Sequence, residues 1–517
     1  MFSYSACIAL AVLLLSCSSI KKVPAETTAY NEPHRPQIHF TPKTAWMNDP
    51  NGMVYYNGTY HLFYQHNPDS TVWGPMHWGH ATTKNLVHWQ HQPVKLFPDS
   101  LGTIFSGSAV VDVNNTSGFG KEGQVPLVAI FTHHNPAMEK AGRNDFQYQS
   151  LAFSLDEGKT WTKYTGNPVV KNPGIRDFRD PKVMWHQGSG KWIMTLATLD
   201  RVTFYSSPNL KDWLKESEFG KELGAHGGVW ECPDLFPLEY NGEQVWVLLV
   251  SINPGGPNGG SATQYFTGRF DGKTFTPLQT DTQWIDYGPD NYAGITWSNT
   301  GKRKIFLGWM SNWQYAAAVP TQTWRSAMTI PRDLSLQKVG GKYFVTSRPV
   351  VELDTLATNT TLLQNIDATN FDLTAKTGVD SSPAKLEISS DQLQEFTIII
   401  GSDSGQKVVV GYDKKTNQYF IDRISSGQAA FAKGFAARHT APRIATEKRM
   451  NLTLVLDHAS LELFADDGLL VMTAIFFPSK AFSQVVIQSR DNFRIKNLAY
   501  TRMKSIYERP ATRIRKQ

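Results

Sequence analysis

The sequence is poor in cysteine, and its charge is nearly balanced. Only 3 of the 517 residues are cysteines, and two of them, Cys7 and Cys17, lie in an N-terminal leader. Cys232 is then the single thiol of the folded part, so a disulfide within that part is excluded, and a small buried cysteine is the favoured interpretation. The formal net charge is +6, and its excess lies partly in a basic tail over residues 509–516. No basic and aromatic face is indicated, which argues against a nucleic-acid partner.

The leader also lacks a long hydrophobic run. Its apolar stretch, residues 7–15, is too short to span a bilayer, and Ser16 and Cys17 follow it. Such a segment resembles a bacterial lipoprotein signal, in which Cys17 is acylated and becomes the mature N-terminus. Residues 1–16 contain no Lys or Arg, so an ordinary cleaved secretory signal is the alternative.

This interpretation predicts a signal over residues 1–17 and a proline-containing tether over residues 18–36. It also predicts a membrane-anchored lipoprotein of the bacterial cell envelope, periplasmic or associated with the outer membrane.

Aromatic residues, glycine and proline are plentiful, a mixture that favours short strands and many turns over helices. Strand-like apolar runs recur about every 60 residues, and most of them belong to hairpin patterns. The runs occupy residues 60–65, 127–132, 192–197, 245–251 and 305–310. Five such units predict an all-β fold, a five-bladed β-propeller over residues 37–348. Beyond them, alternating strands with fewer tryptophans predict a separate β-sandwich over residues 349–517.

Three acidic motifs stand at the starts of strand-like runs. They are WMNDPNG at residues 46–52, FRDP at 178–181 and WECPD at 230–234. A sandwich has no reason to place one acid per unit, whereas in a propeller the innermost strand of every blade starts at the same end of the channel. Asp49, Asp180 and Glu231 are therefore expected to converge there, and paired carboxylates suggest cleavage of a glycosidic bond.

Each acid suits a different role. Asp49 is flanked by amide donors that keep it charged, which suits a nucleophile. Glu231 lies between Trp230 and Cys232, an apolar surround that would keep a proton available for the leaving oxygen. Asp180 and Arg179 could hold adjacent sugar hydroxyls. Taken singly, the Asp49 motif also suits a turn, Glu231 an ion-paired strand residue, and Arg179 with Asp180 a surface ion pair. Their matched positions at the starts of strand-like runs favour a shared site.

Together the motifs resemble glycoside hydrolase family 32, the β-fructofuranosidases that include invertases, levanases and exo-inulinases. The resemblance covers nearly the whole chain after the leader, including residues 308–313 and 456–464. It implies retaining hydrolysis through a fructosyl enzyme, with Asp49 as nucleophile, Glu231 as acid/base and Asp180 as transition-state stabiliser, and it implies no metal or organic cofactor. The residues that it places at the fructose are Asn48, Gln65, Trp73, Phe105, Ser106, Arg179, Asp180, Glu231 and Trp309; the aromatic ones among them also suit core packing.

Histidine is crowded in the first blade, but the spacings match no compact ligand set, which argues against a catalytic metal. Residues 285–293 resemble the levanase and exo-inulinase branch, so we expect an exo-acting fructan β-fructosidase that also cleaves sucrose. A fructosyltransferase, a non-catalytic fructan-binding lipoprotein and a five-bladed arabinofuranosidase are the alternatives. Preference between β-2,6 and β-2,1 linkages is not decided by these motifs.

Overall fold

A computed structural model describes residues 30–121 and 123–507, and in this part the chain is built mainly of strands. The predicted signal and its Cys17 lie outside the described residues. Among the helices of the described part, none has the length and apolar character needed to cross a bilayer.

Residues 45–349 form five sheets, all of whose neighbouring strands are antiparallel except for one short parallel pair. Blade 1 contains β1 (Ala45–Tyr56), β2 (Thr59–Asn67), β3 (His77–Thr83) and β4 (Gln90–Leu96). Blade 2 contains β5 (Thr103–Val111), β6 (Leu127–His134), β7 (Gln147–Ser154) and β8 (Thr162–Lys163), with the helix α1 (Pro136–Lys140) between β6 and β7. Blade 3 contains β9 (Phe178–His186), β10 (Lys191–Thr198), β11 (Arg201–Ser207) and β12 (Leu214–Phe219).

Blade 4 contains β13 (Val229–Tyr240), β14 (Glu243–Asn253), β15 (Ala262–Phe270), β16 (Phe275–Pro277) and β17 (Gln283–Trp284). Blade 5 contains β18 (Tyr292–Thr296), β19 (Lys304–Met310), β21 (Ala327–Met328), β22 (Arg332–Val339) and β23 (Lys342–Pro349). Between β19 and β21, β20 (Trp324–Arg325) leaves blade 5 and pairs in parallel with β1. This pairing joins the last blade to the first.

The first strands of the blades, β1, β5, β9, β13 and β18, pack against one another in ring order around the channel, and β18 returns to β1. An apolar cluster lies between each pair of neighbouring blades in the described chain; Trp46 and Trp309, for example, belong to the one between blades 5 and 1. Because both faces of a blade are covered, middle strands such as β14 are buried almost throughout and read as continuous apolar runs.

Residues 357–503 form two six-stranded antiparallel sheets that enclose one apolar core. A 3₁₀ turn, Val351–Leu356, leads into this sandwich, and α2 (Leu373–Thr377) lies between two of its strands. The strands are β24 (Ala357–Asp367), β25 (Asn370–Asp372), β26 (Ala384–Ser390), β27 (Phe396–Gly401), β28 (Lys407–Asp413), β29 (Gln418–Asp422), β30 (Arg438–Pro442), β31 (Met450–Asp457), β32 (Ser460–Ala465), β33 (Leu470–Ile475), β34 (Gln484–Gln488) and β35 (Arg494–Met503). One sheet has the order β24-β35-β26-β31-β32-β33 and the other β25-β34-β27-β28-β29-β30.

Buried charges join the two domains. Arg332 of blade 5 donates to Glu462 of β32 and to Asp286 at 2.9 Å, and all three side chains are at most 1% exposed. His39 lies between Asp457 and Glu462, at 2.7 and 2.9 Å. Burial by itself would lower the pKa of His39, but the two carboxylates raise it to about 9.

The predicted tether is wrong for residues 30–36, which pack against the fold. Arg35 is fully buried, and its guanidinium donates to the Thr41 hydroxyl at 2.9 Å and to the Pro42 carbonyl at 2.7 Å. The same group lies over the Trp324 ring. A guanidinium has five donors in a rigid fork, so it ties down a proline-containing segment whose composition suggests a linker.

Candidate active site

A cavity of about 300 Å³ opens at the end of the channel where the first strands begin. Asp49 of β1, Asp180 of β9 and Glu231 of β13 all line it, although they are far apart in sequence. Other residues that line it and that the sequence singles out are Asn48, Gln65, Trp73, Phe105, Ser106 and Arg179. The ring of first strands is what brings these side chains together.

Every first strand has an irregular register near the end at which it begins, and in four of the five blades the cavity lies at this end. In each, two residues stand opposite one on the neighbouring strand, as in a β-bulge. The bulged pairs are Asn48-Asp49, Phe105-Ser106, Asp180-Pro181, Cys232-Pro233 and Ala293-Gly294. A bulge re-aims a side chain and tolerates a proline that has no N–H to donate. The Asp-Pro and Cys-Pro pairs at 180–181 and 232–233 therefore mark bulges at which side chains of the first strands turn toward the cavity.

Asp49 is held by short hydrogen bonds. The Asn48 amide donates to its Oδ1 at 2.9 Å, and the Ser106 hydroxyl donates to its Oδ2 at 2.8 Å. Asn48 is fixed in turn by the Trp46 indole N–H at 2.7 Å. Burial, followed by the neighbouring Glu231, raises the pKa of Asp49, whereas the donors from Asn48 and Ser106 lower it. The arrangement aims one carboxylate without neutralising it with a cation.

Cys232 lies between two of the acids. Its backbone N–H donates to Asp180 Oδ2 at 3.0 Å, and its Sγ lies 3.5 Å from Asp49 Oδ2 and 3.6 Å from Asp180 Oδ2. Burial and the adjacent carboxylates raise the pKa of the thiol well above its usual range, so it stays protonated and is a poor nucleophile. For Asp180, burial raises the pKa to about 7, with Arg179 opposing the shift and the other two acids adding to it.

Glu231 has a polar environment, and the apolar surround predicted for it is wrong. Arg179 donates to its Oε1 through Nε at 3.1 Å and Nη2 at 2.9 Å, and the Tyr292 hydroxyl donates to its Oε2. Trp230 is fully buried and donates to the Ala225 carbonyl instead. Successive side chains of a strand point to opposite faces, so sequence neighbours do not form the environment of Glu231.

Comparison with known proteins agrees with this geometry. The sequence model of the glycosyl hydrolases family 32 N-terminal domain matches residues 39–347, and that of the family 32 C-terminal domain matches residues 352–502. The chain belongs to glycosyl hydrolase family 32. The predicted family, the enzyme class and the fold of propeller plus sandwich are thereby confirmed.

Several relatives in this family are similar over most of the chain. A levanase of Bacillus subtilis is 45% identical over 93% of this chain and 72% of its own length. An extracellular exo-inulinase of Aspergillus ficuum is 41% identical over 87% of this chain and 90% of its own. Among solved structures, the exo-inulinase of Aspergillus awamori has a TM-score of 0.85 and 37% identity, covering 92% of this chain and all of its own. The β-fructofuranosidase of Schwanniomyces occidentalis in complex with fructosyl-erythritol has a TM-score of 0.82 and 32% identity, covering 92% and 99%.

In this family 32 protein a group of aromatic side chains lines part of the cavity. Phe105 stacks on His134, with ring centroids 4.3 Å apart, and Trp73, 47% exposed, meets Phe105 edge-on. Gln65 lies deeper, and its buried Nε2 has no hydrogen-bond partner among the described residues. A buried amide donor without a partner favours a ligand or a water there.

Trp309 was expected at the fructose, but the structure places it in the core. Its side chain is 0% exposed and does not line the cavity. It packs against Trp313, which does line the cavity, with the two ring centroids 4.8 Å apart. Both tryptophans belong to the same short motif, and the sequence offers no sign of which one the chain turns outward.

Other residues of the site were not predicted from the sequence. Tyr292, whose hydroxyl donates to Glu231, lies in the stretch that resembles the levanase branch. Asp177, two residues before Arg179, lines the cavity and accepts from the Arg179 guanidinium at 2.5 Å. The other lining residues are His134, Glu139, Phe146, Gln147, Arg176 and Trp313. Only adjacency to a motif could have suggested Asp177. Within residues 30–121 and 123–507, His, Cys, Asp and Glu side chains form no group of three suited to a metal ion.

Proposed function

We propose that this family 32 protein is an exo-acting fructan β-fructosidase that hydrolyses terminal β-fructofuranosyl units of levan- or inulin-type chains and of sucrose. The convergence of Asp49, Asp180 and Glu231 in one cavity of about 300 Å³ carries this proposal. Beyond the acids the first strands continue with buried side chains such as Ser108 and Lys182. A cavity closed at its inner end admits a chain terminus, which suits removal of one sugar at a time. The levanase and exo-inulinase relatives support the same substrate class.

The proposed reaction has two steps. Asp49 attacks the anomeric carbon of the terminal fructose, the bond to the leaving oxygen breaks, and Glu231 gives that oxygen its proton. A water then attacks the same carbon, gives a proton to Glu231 and releases Asp49. Two inversions leave the configuration retained. Asp180, buried beside Cys232, accepts hydrogen bonds from the hydroxyls of the ring and opposes the positive charge that develops on it.

The test measures fructose release from levan, inulin and sucrose side by side. Glu231→Gln is expected to lower kcat by about 10²–10⁴-fold, the usual contribution of a general acid, and Asp49→Ala to lower it further. The exposed acids Asp281 and Glu239 supply controls, because Asp281→Asn and Glu239→Gln change similar groups far from the cavity. Wild-type rates in the Asp49 and Glu231 variants would refute the catalytic assignment.

The same assay separates the alternative activities. A fructosyltransferase would turn concentrated sucrose mainly into longer oligosaccharides rather than free fructose, and an arabinofuranosidase would act on arabinan and leave fructans intact. Either product pattern would refute the proposed fructosidase activity and establish the alternative activity. Relative rates on levan and inulin then give the linkage preference.

We also propose that the enzyme is anchored to the bacterial cell envelope through lipid on Cys17. The apolar stretch of residues 7–15 followed by Ser16 and Cys17 supports this, and the segment ahead of the packed residues 30–36 would be the remaining tether. Metabolic labelling with a fatty-acid probe is expected to mark the wild-type protein and not Cys17→Ser. An unlabelled wild-type protein whose mature N-terminus follows a different cleavage site would establish the secretory alternative.

A further inference from the structure

A second cavity, of about 490 Å³, lies at the opposite mouth of the propeller channel, and the proposed catalytic chemistry does not use it. The far ends of β5, β9, β13 and β18 line it, with Lys182 two residues after Asp180 and Asp234 three residues after Glu231. Two of the acidic motifs are thus accompanied by a further charged residue that lines this cavity: Lys182 directly follows the first, and Asp234 ends the second.

Lys182 and Asp234 form a buried pair across blades 3 and 4. Asp234 Oδ2 accepts from the backbone N–H of Thr296 at 2.6 Å and from its hydroxyl at 2.8 Å, and it forms an ion pair with Lys182 Nζ at 3.2 Å. Lys182 Nζ also donates to the Thr296 carbonyl at 2.5 Å. The side chains of Lys182 and Asp234 are 6% and 1% exposed.

The hydrogen bonds of this pair are unevenly distributed. One oxygen of Asp234 has two hydrogen-bond donors and an ion-pair partner, whereas its buried Oδ1 has no partner among the described residues. An ammonium has three N–H donors, and the contacts of Lys182 within the described chain occupy two of them. One acceptor and one donor are therefore left on two buried residues that line the cavity.

A hydroxyl group matches this pair of unused groups, because it donates to one neighbour while it accepts from another. The cavity walls add four tryptophans: Trp192, Trp246 and Trp297 are buried, and Trp185 is half-buried and meets Trp192 edge-on at 5.2 Å. Flat aromatic faces make dispersion contacts with the C–H groups of a sugar ring, and a water molecule has no such groups.

We propose that the second cavity is a non-catalytic sugar site that takes a fructose unit, either free or at the end of a short fructo-oligosaccharide. The choice of fructose rests on the proposed function, whereas the demand for a hydroxylated ring with aromatic contact does not. The cavity exceeds the catalytic one in volume, so a whole ring fits. Such a site would hold sugar at the face of the propeller opposite to the one where fructose is cleaved.

The test uses the full chain as the Asp49→Ala variant, so that added 1-kestose is not consumed. Titration calorimetry with fructose and with 1-kestose is expected to give two sites per chain. Crystals soaked in either sugar are expected to show a ring in the second cavity, with a hydroxyl at hydrogen-bond distance from Asp234 and Lys182. One site per chain, or only water in the second cavity of soaked crystals, would overturn the proposal.

Trp185→Ala isolates the second site. Combined with Asp49→Ala, it is expected to weaken binding at that site at least tenfold and to leave the other site unchanged. The matched control is Trp213→Ala, which removes a half-buried tryptophan that lines neither cavity. Two undisturbed affinities in the Trp185 variant would contradict the assignment, and the soaked crystals decide the question if that variant does not fold.

Fructose release by the protein with Asp49 intact is measured in parallel and is expected to stay within twofold of wild type in Trp185→Ala. A protein that binds sugar in the second cavity but releases no fructose would refute the proposed function and leave this site standing. The reverse result would refute this site alone.

Discussion

The hydrogen bond from Ser106 to Asp49 gives a prediction that reaches the proposed nucleophile without removing it. Asp49 must be ionised to attack, and its acid limb in the pH profile of kcat/KM reports its pKa in the free enzyme. Burial and Glu231 raise this pKa, while the Ser106 hydroxyl at 2.8 Å lowers it. Ser106→Ala removes a donor that stabilises only the charged form. The pKa must therefore rise, and the acid limb must move to higher pH.

The size of the shift follows from the strength of this bond. A hydrogen bond to a charged group contributes about 1.5–3 kcal/mol, and one pKa unit corresponds to about 1.4 kcal/mol. The acid limb is thus expected to move up by about 1–2 units. At a pH below both limbs, kcat/KM falls by about 10–100-fold, and the loss shrinks as the pH rises through the new limb.

The assay is kcat/KM on sucrose from about pH 3 to pH 8. Ser108→Ala is the matched control, because Ser108 is a buried serine on the same strand whose hydroxyl bonds Pro181 and Val183 and not an acid. An acid limb that stays in place in Ser106→Ala, or that moves equally in both variants, would refute the reasoning that Ser106 tunes Asp49.

Three further predictions follow from other contacts. Arg179→Lys breaks the double donation to Glu231, so kcat/KM on sucrose should fall by about 10–100-fold; an unchanged value would show that the fork is dispensable. His39, whose pKa is raised from 6.5 to about 9, stabilises the fold by about 3 kcal/mol below pH 6.5, and this contribution is lost as the pH rises through 9. Denaturant titrations should show that fall in wild type and not in His39→Gln. Trp313→Ala should raise KM for fructans, whereas Trp309→Phe should lower Tm and leave KM unchanged, contrary to a direct role at the fructose.

Much of the architecture follows from local pattern. The apolar runs lie inside β2, β6, β10, β14 and β19, the second strands of the five blades, because strands covered on both faces are largely apolar. The packing of the segment before the propeller could not be predicted from its composition. Proline and polar residues suggest a tether, and the burial of Arg35 depends on acceptors that only the folded chain brings near it.

The three acids of the site could be predicted from the sequence, whereas the residues that contact them could be predicted only in part. Asp-Pro and Cys-Pro pairs mark bulges, and bulges at the starts of first strands direct Asp180 and the segment of Glu231 to the cavity. The partners of Glu231 could not be found in the same way. Arg179 and Tyr292 come from blades 3 and 5, and no local rule links them to a residue of blade 4.

What the sequence by itself determined is the set of chemically competent groups, their place at strand starts and the repeat that closes them into a ring. Those features depend on periodicity and on residue type, which are local. What only the tertiary structure decided is the neighbour of each charge. Arg179 faces Glu231, Cys232 separates Asp49 from Asp180, and Lys182 meets Asp234 at the far mouth. Each of these contacts joins different blades, and their distances depend on how the five sheets pack around the channel.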